Sequence, residues 1–179
     1  EQEFWTHQLY ALSTYLDDER LTDPMRRSAE ASRHLDQAAR RLHESAGLTV
    51  RNLTFCSAVS SYGVYTPMTK GEVKPGQQLL LYAEVENFTS RETPQGYHTA
   101  LKARYQILDA KGTKADEHEF PVTEEHCQNP RRDYFVRYFL TVPQRLYDGK
   151  YTLQVTIEDT LGNKVGQGSI DMHVKNQPK

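Results

Sequence analysis

The most chemically equipped stretch of the chain is DEHEFPVTEEHCQNPRRD, residues 116–133. His118, His126 and Cys127, with Glu124 or Glu125 as a fourth group, are side chains that bind a borderline divalent metal. Their spacing fits no structural zinc pattern. Adjacent residues of an extended chain also point to opposite faces, so His126 and Cys127 do not aim at one ion. The competing reading is a solvated loop between strands, charged because it is exposed, and no metal ligand is assigned. His126 beside Cys127 raises nucleophilic catalysis as well. That chemistry needs a base within hydrogen-bond reach of the thiol and a third group to orient the base. Nothing in the sequence fixes such a geometry, so Cys127 is expected to be an ordinary loop thiol and no catalytic residue is assigned. Cys56 and Cys127 are the only two cysteines. A single bridge and two free thiols both stay open.

Downstream, Arg131, Arg132 and Arg137 alternate with Tyr134, Phe135, Tyr138 and Phe139. Cations interleaved with aromatics suit single-stranded nucleic acid. Glu124, Glu125 and Asp133 lie alongside, however, and the whole chain carries a formal charge of −2. A strand with aromatics on one face is the simpler account, and no nucleic acid is expected. Tyr62, Tyr65, Tyr97 and Tyr147 fall in predicted loops or at strand ends, where flat rings could stack on sugars. Tyrosines that cover the ends of a sandwich do the same without a ligand. Asn52-Leu-Thr54 and Asn87-Phe-Thr89 match the N-glycosylation pattern. The chain has no P-loop, no GxGxxG, no GxSxG, no HExxH and no EF-hand loop, and no cofactor is implied.

The elements that must position these residues change character at Gly47. Residues 1–47 hold six arginines and no lysine, with one glycine and one proline. The other nine glycines and seven prolines follow. In the first segment Trp5, Leu9, Leu12 and Leu16 recur at steps of four, three and four, the stripe of an amphipathic helix. A second helix opens at Asp23-Pro24, a side-chain cap followed by a proline in the first turn. Met25, Ala29, Leu35, Ala39, Leu42 and Ala46 line one side. Arg26–Glu30, Asp36–Arg40 and Arg40–Glu44 stand four apart on the exposed side. Gly47 is expected to cap the helix in the left-handed conformation, with Leu48 folding back on Leu42. Two helices cannot enclose a core, so their stripe is expected to bury itself on the second segment or on another chain.

From Leu48 the period falls to two. Leu79, Leu81, Ala83 and Val85 alternate with Leu80, Tyr82, Glu84 and Glu86. Leu101, Ala103, Tyr105 and Ile107 alternate with Lys102, Arg104 and Gln106. Tyr134, Val136, Tyr138, Leu140 and Val142 form a third set; Tyr151, Leu153, Val155 and Ile157 form a fourth. Strands with one oily and one wet face belong to antiparallel sheets. KPGQ (74–77), DAKGT (109–113), YDGK (147–150) and TLGNK (160–164) supply the turns. About seven strands are expected. Gly166 and Gly168 interrupt the last one, pointing to a bulge or a close backbone approach.

The run DGKYTL, residues 148–153, resembles the tyrosine corner of immunoglobulin-like domains, with Tyr151 at the corner position. That resemblance implies a two-layer sandwich. It also places Leu153 where antibody domains carry a cysteine, so apolar packing takes the place of the inter-sheet disulfide. The whole chain looks like uncharacterised bacterial cell-envelope proteins with such a domain at the C-terminus, a resemblance that implies no activity.

The expectation is therefore a mainly β chain: a helical hairpin over 1–47, then an immunoglobulin-like antiparallel β-sandwich over 48–179. Its expected role is a non-enzymatic interaction or structural module. The expected partner is protein, self or another chain, met through the hairpin. Carbohydrate or metal binding by sandwich-end loops is the alternative. No run is long and apolar enough to span a membrane. Fold type and the absence of an initial methionine favour a location outside the cytoplasm.

Overall fold

A computed structural model describes residues 2–69 and 71–175. The chain divides into two compact units, Glu1–Ala46 and Gly47–Lys179. The first is a helical hairpin, α1 (Gln2–Leu16) and α2 (Pro24–Ser45). Asp23 caps α2: its Oδ1 accepts the N–H of Met25 at 2.9 Å, with Pro24 at the first helical position, satisfying a donor that the first turn leaves free. The other end departs from expectation. Ala46 is extended and its N–H bonds Leu42 O, while Gly47 is not left-handed and Leu48 joins the core of the second unit. Helix α2 ends because the chain is drawn into a strand at Thr49. Glu30 pairs with Arg33 and Glu44 with Arg41, each three residues apart and not the expected four.

The second unit is an immunoglobulin-like β-sandwich. One sheet runs in the order β2 (Val64–Pro67), β1 (Thr49–Ser61), β4 (Gln78–Glu86), β9 (Tyr134–Thr141). The other runs β3 (Glu72–Val73), β11 (Lys164–Val174), β10 (Gly149–Asp159), β6 (Gly96–Asp109), β5 (Arg91–Thr93); β7 (Lys114–Glu119) and β8 (Thr123–Cys127) also pair with β6. Eleven strands are described where about seven were expected, because short edge pieces join the long ones. Pairing is antiparallel except for β3, which runs parallel to β11. The segment 116–133 is not the solvated loop expected from its charge. Half of it lies in β7 and β8, end to end along β6 and broken at Pro121. Charged side chains and a proline are what an edge strand tolerates.

Leu79, Leu81, Val85, Leu101, Ile107, Leu153, Val155 and Ile157 fill the interior between the sheets. Tyr151 Oη donates to Tyr147 O at 3.3 Å, making the corner, and Leu153 is fully buried two residues on. Gly166 and Gly168 mark a close approach, not a bulge, since β10 and β11 pair without a register shift. A Cβ on Gly166 would fall 2.7 Å from Leu48 O; one on Gly168 would fall 3.1 Å from Val50 Cγ1. The bare backbone of β11 thus lets β1 of the facing sheet come in. Asp159, also fully buried, accepts N–H bonds from Thr89, Leu161 and Gly162, pinning the β10–β11 turn to the chain ahead of β5.

Candidate functional site

Register separates the residues of 116–133. His126 lies opposite His98, and Cys127 opposite Tyr97. Successive residues of β8 face opposite ways, so His126 stacks flat on His98, centroids 4.5 Å apart, while Cys127 is on the other side of the sheet. His118 is on β7 with its ring against Tyr105 and Phe120. Glu124 shares the His98 side, its Oε2 3.4 Å from His98 Nε2 and off the line of a hydrogen bond. Glu125 pairs instead with Arg131. Among the described residues no three His, Cys, Asp or Glu side chains converge as metal ligands. Cys56 and Cys127 are both free, and burial pushes the Cys56 thiol up. His98 went unnoticed in the sequence because only strand pairing brings it to His126.

Strand β9 likewise sorts its aromatics. Tyr134 turns inward, with the Arg131 guanidinium 4.8 Å over its ring, and Tyr138 stacks on Phe120 at 4.0 Å. Phe135 turns outward against Tyr82, and Phe139 stands 63% exposed. The aromatics of β9 are thus split between the two sheet faces, with Arg137 on the outward face beside Phe135 and Phe139.

The four candidate sugar platforms disperse too. Tyr97 begins β6; Tyr147 precedes β10, whose Tyr151 pairs with Asp109 at the far end of β6. Tyr62 and Tyr65 flank the β1–β2 turn. Tyr65 stacks on Tyr82 at 4.2 Å, so that ring face is occupied by protein. Beneath it is a buried polar cluster. Tyr82 Oη accepts the N–H of Gly63 and donates to Glu84 Oε1, both at 2.8 Å, and Asn52 Nδ2 donates to Glu84 Oε2 at 2.7 Å. Tyr82 and Glu84 are 0% and 6% exposed although the alternation assigned them to water. Burial, with Glu84 adding, pushes the Tyr82 hydroxyl up to about 12, against the opposing Gly63 bond. Asn52 sits at φ 50° where β1 carries an extra residue against β4. Asn87 is also left-handed, its amide bonded to Gly47 O. Both asparagines of the glycosylation patterns thus have backbone roles.

Most of the large apolar side chains exposed among the described residues are on the hairpin. Its seam is made of small and polar side chains: Ala11, Ala31 and Ala38 are buried, His7 stacks on His34, and Glu3 pairs with Arg41 at 2.9 Å. The apolar stripe points elsewhere. Trp5 is 60% exposed, Leu9 65% and Leu16 66%, with Leu12, Leu35 and Leu42 at half or more. Trp5, Leu12, Tyr15, Ser28, Ser32 and Leu35 line one groove of about 660 Å³ along the two helices. The sequence identified the stripe, but not which residues would make the α1–α2 seam.

No protein-family model matches the chain, and no curated protein matches it. Among solved structures it is similar to the alkylpurine DNA glycosylase AlkC of Pseudomonas fluorescens, at 13% identity over 83% of this chain and 38% of that one, TM-score 0.42. It is similar to the sporulation control protein Spo0M of Bacillus subtilis, at 8% identity over 74% and 51%, TM-score 0.41. A third likeness is the C-terminal domain of wzt, at 16% identity over 74% and 76%, TM-score 0.45. The chain spans about two fifths of the glycosylase and half of the sporulation protein. Likenesses this distant assign it neither a family nor an activity.

Proposed function

We propose that this chain is a non-enzymatic interaction module, in which the helical hairpin offers an apolar face to a protein partner and the sandwich serves as a rigid carrier. The observation that carries this reading is the outward stripe of α1. Large apolar side chains left in water forgo about 1.5–3 kcal/mol each on burial, and contiguous apolar patches of this kind mark interaction sites. The opposite facing of His126 and Cys127 supports the non-enzymatic part, because a thiol and its base must share a side. A net charge of −2, with acids interleaved among the arginines, favours protein over nucleic acid. The envelope setting rests on the sequence resemblance and is checked by cell fractionation.

The test is a photo-crosslinking residue at position 12 in cells that express the protein. A covalent protein adduct, absent when the crosslinker replaces solvent-facing Arg33, is expected. If position 12 yields no protein adduct at all, the reading is abandoned.

A further inference from the structure

We infer that the apolar face of the hairpin binds a second copy of this chain, closing a two-fold four-helix bundle; the inference rests on the docking role proposed above and names its partner.

Three observations point to self-pairing. First, the face contains its own complement. Helix α1 contributes bulk through Trp5, Leu12 and Tyr15, while α2 contributes a trough floored by Ser28, Ala31 and Ser32. A two-fold contact presents the same patch from both sides, so every ridge must find a hollow on that patch. Here α1 of each copy fits the α2 trough of the other, twice over. Second, none of the residues lining the groove is an acid or a base charged at neutral pH. An identical surface meets itself without like-charge repulsion only when charge is absent or evenly mixed. A partner selected by charge would need a matching charge on this face. Third, the area suffices. Trp5, Leu9, Leu12, Tyr15, Leu16, Met25, Leu35 and Leu42 each expose half or more of their surface. Together they supply on the order of the 800 Å² per partner that a stable interface takes. The 15 residues of α1 extend about 22 Å, a length over which coiled-coil packing registers three to four turns.

Trp5 is the chain's single tryptophan and lies in this face, so its emission reports directly on closure. The full chain is diluted from about 100 μM to 0.1 μM while sedimentation velocity and Trp5 fluorescence are recorded, a span that brackets micromolar affinity. The expected result is a dimer-to-monomer transition with a red shift of Trp5 emission at the same midpoint. Leu12→Glu, which puts an unpaired charge into the closed face, is expected to raise the dissociation constant at least about 100-fold with unchanged helical circular dichroism. Should that variant lose helix, Ser32→Lys, at an exposed position of the trough, replaces it and is expected to act the same way. A chain that stays monomeric at 100 μM overturns the inference. A dimer whose Trp5 emission does not move, or one that survives both substitutions, overturns it too. Adducts at position 12 with other proteins alone, from a monomeric chain, sink self-pairing and leave the docking role standing; the absence of any adduct removes both.

Discussion

Tyr82 donates to Glu84 across 2.8 Å, two residues along one strand, on a sheet face that the alternating pattern assigns to solvent. The pair is covered because an extra residue in β1 swings Asn52 over Glu84 and the β1–β2 turn lays Gly63 and Tyr65 over Tyr82.

Tyr82→Phe removes the acceptor of the Gly63 N–H and the donor to Glu84 Oε1. Buried groups left unpaired cost about 1–3 kcal/mol, and the variant should lose that much in urea unfolding. Glu84→Gln keeps the shape and removes the charge. Because the groups share one network, Tyr82→Phe with Glu84→Gln should cost less than the sum of the singles. Additive losses would show that the network does not act as a unit.

Alkaline stability follows from the same tyrosine. Its hydroxyl titrates near 12 in the folded chain and near 10 unfolded. Above about pH 10 the unfolded chain gives up this proton first, so the stabilisation is complete below pH 10 and is lost as pH climbs through 12. Burial pushes Tyr105, Tyr134 and Tyr138 the same way. Urea midpoints are expected to fall between pH 9 and 11.5, with a shallower fall in Tyr82→Phe. Tyrosinate absorbance in the native chain should show a late-titrating group that merges with the rest on unfolding.

Gly166→Ala and Gly168→Ala test how closely the sheets approach. The first places a methyl against the Leu48 backbone, the second against the more yielding side chains of Val50 and Leu53. Overpacking costs about 1–3 kcal/mol. Calorimetry should rank Gly166→Ala as the more damaging, and equal or negligible effects would contradict the close approach.

The thiols should label in two phases. Cys127 is part-exposed and reacts in the native chain, whereas Cys56 is buried, its thiol pushed up by desolvation, and reacts on unfolding. Mass analysis without reductant should find two free cysteines; a bridged species would refute the placement of both.

The fold was legible in the chain wherever one local rule sufficed. Period-two alternation named the inward side of β4, β6, β9 and β10, Asp23-Pro24 named the start of α2, and DGKYTL named the corner. Residues 116–133 misled because their charges signal water, and an edge strand faces water as much as a loop does. The stacking of His126 on His98 was invisible because cross-strand register is set by pairing between segments distant in sequence.

Which residues are oily, at what period they recur and where the chain must turn could be read along the chain, since these depend on side-chain type and neighbouring backbone. Tertiary structure alone decided which face of α1 meets α2, which polar groups on the outside of β4 are covered, and that His126 and Cys127 part company. Those outcomes depend on what lies across a gap from each side chain, and the occupant of that gap comes from elsewhere in the chain.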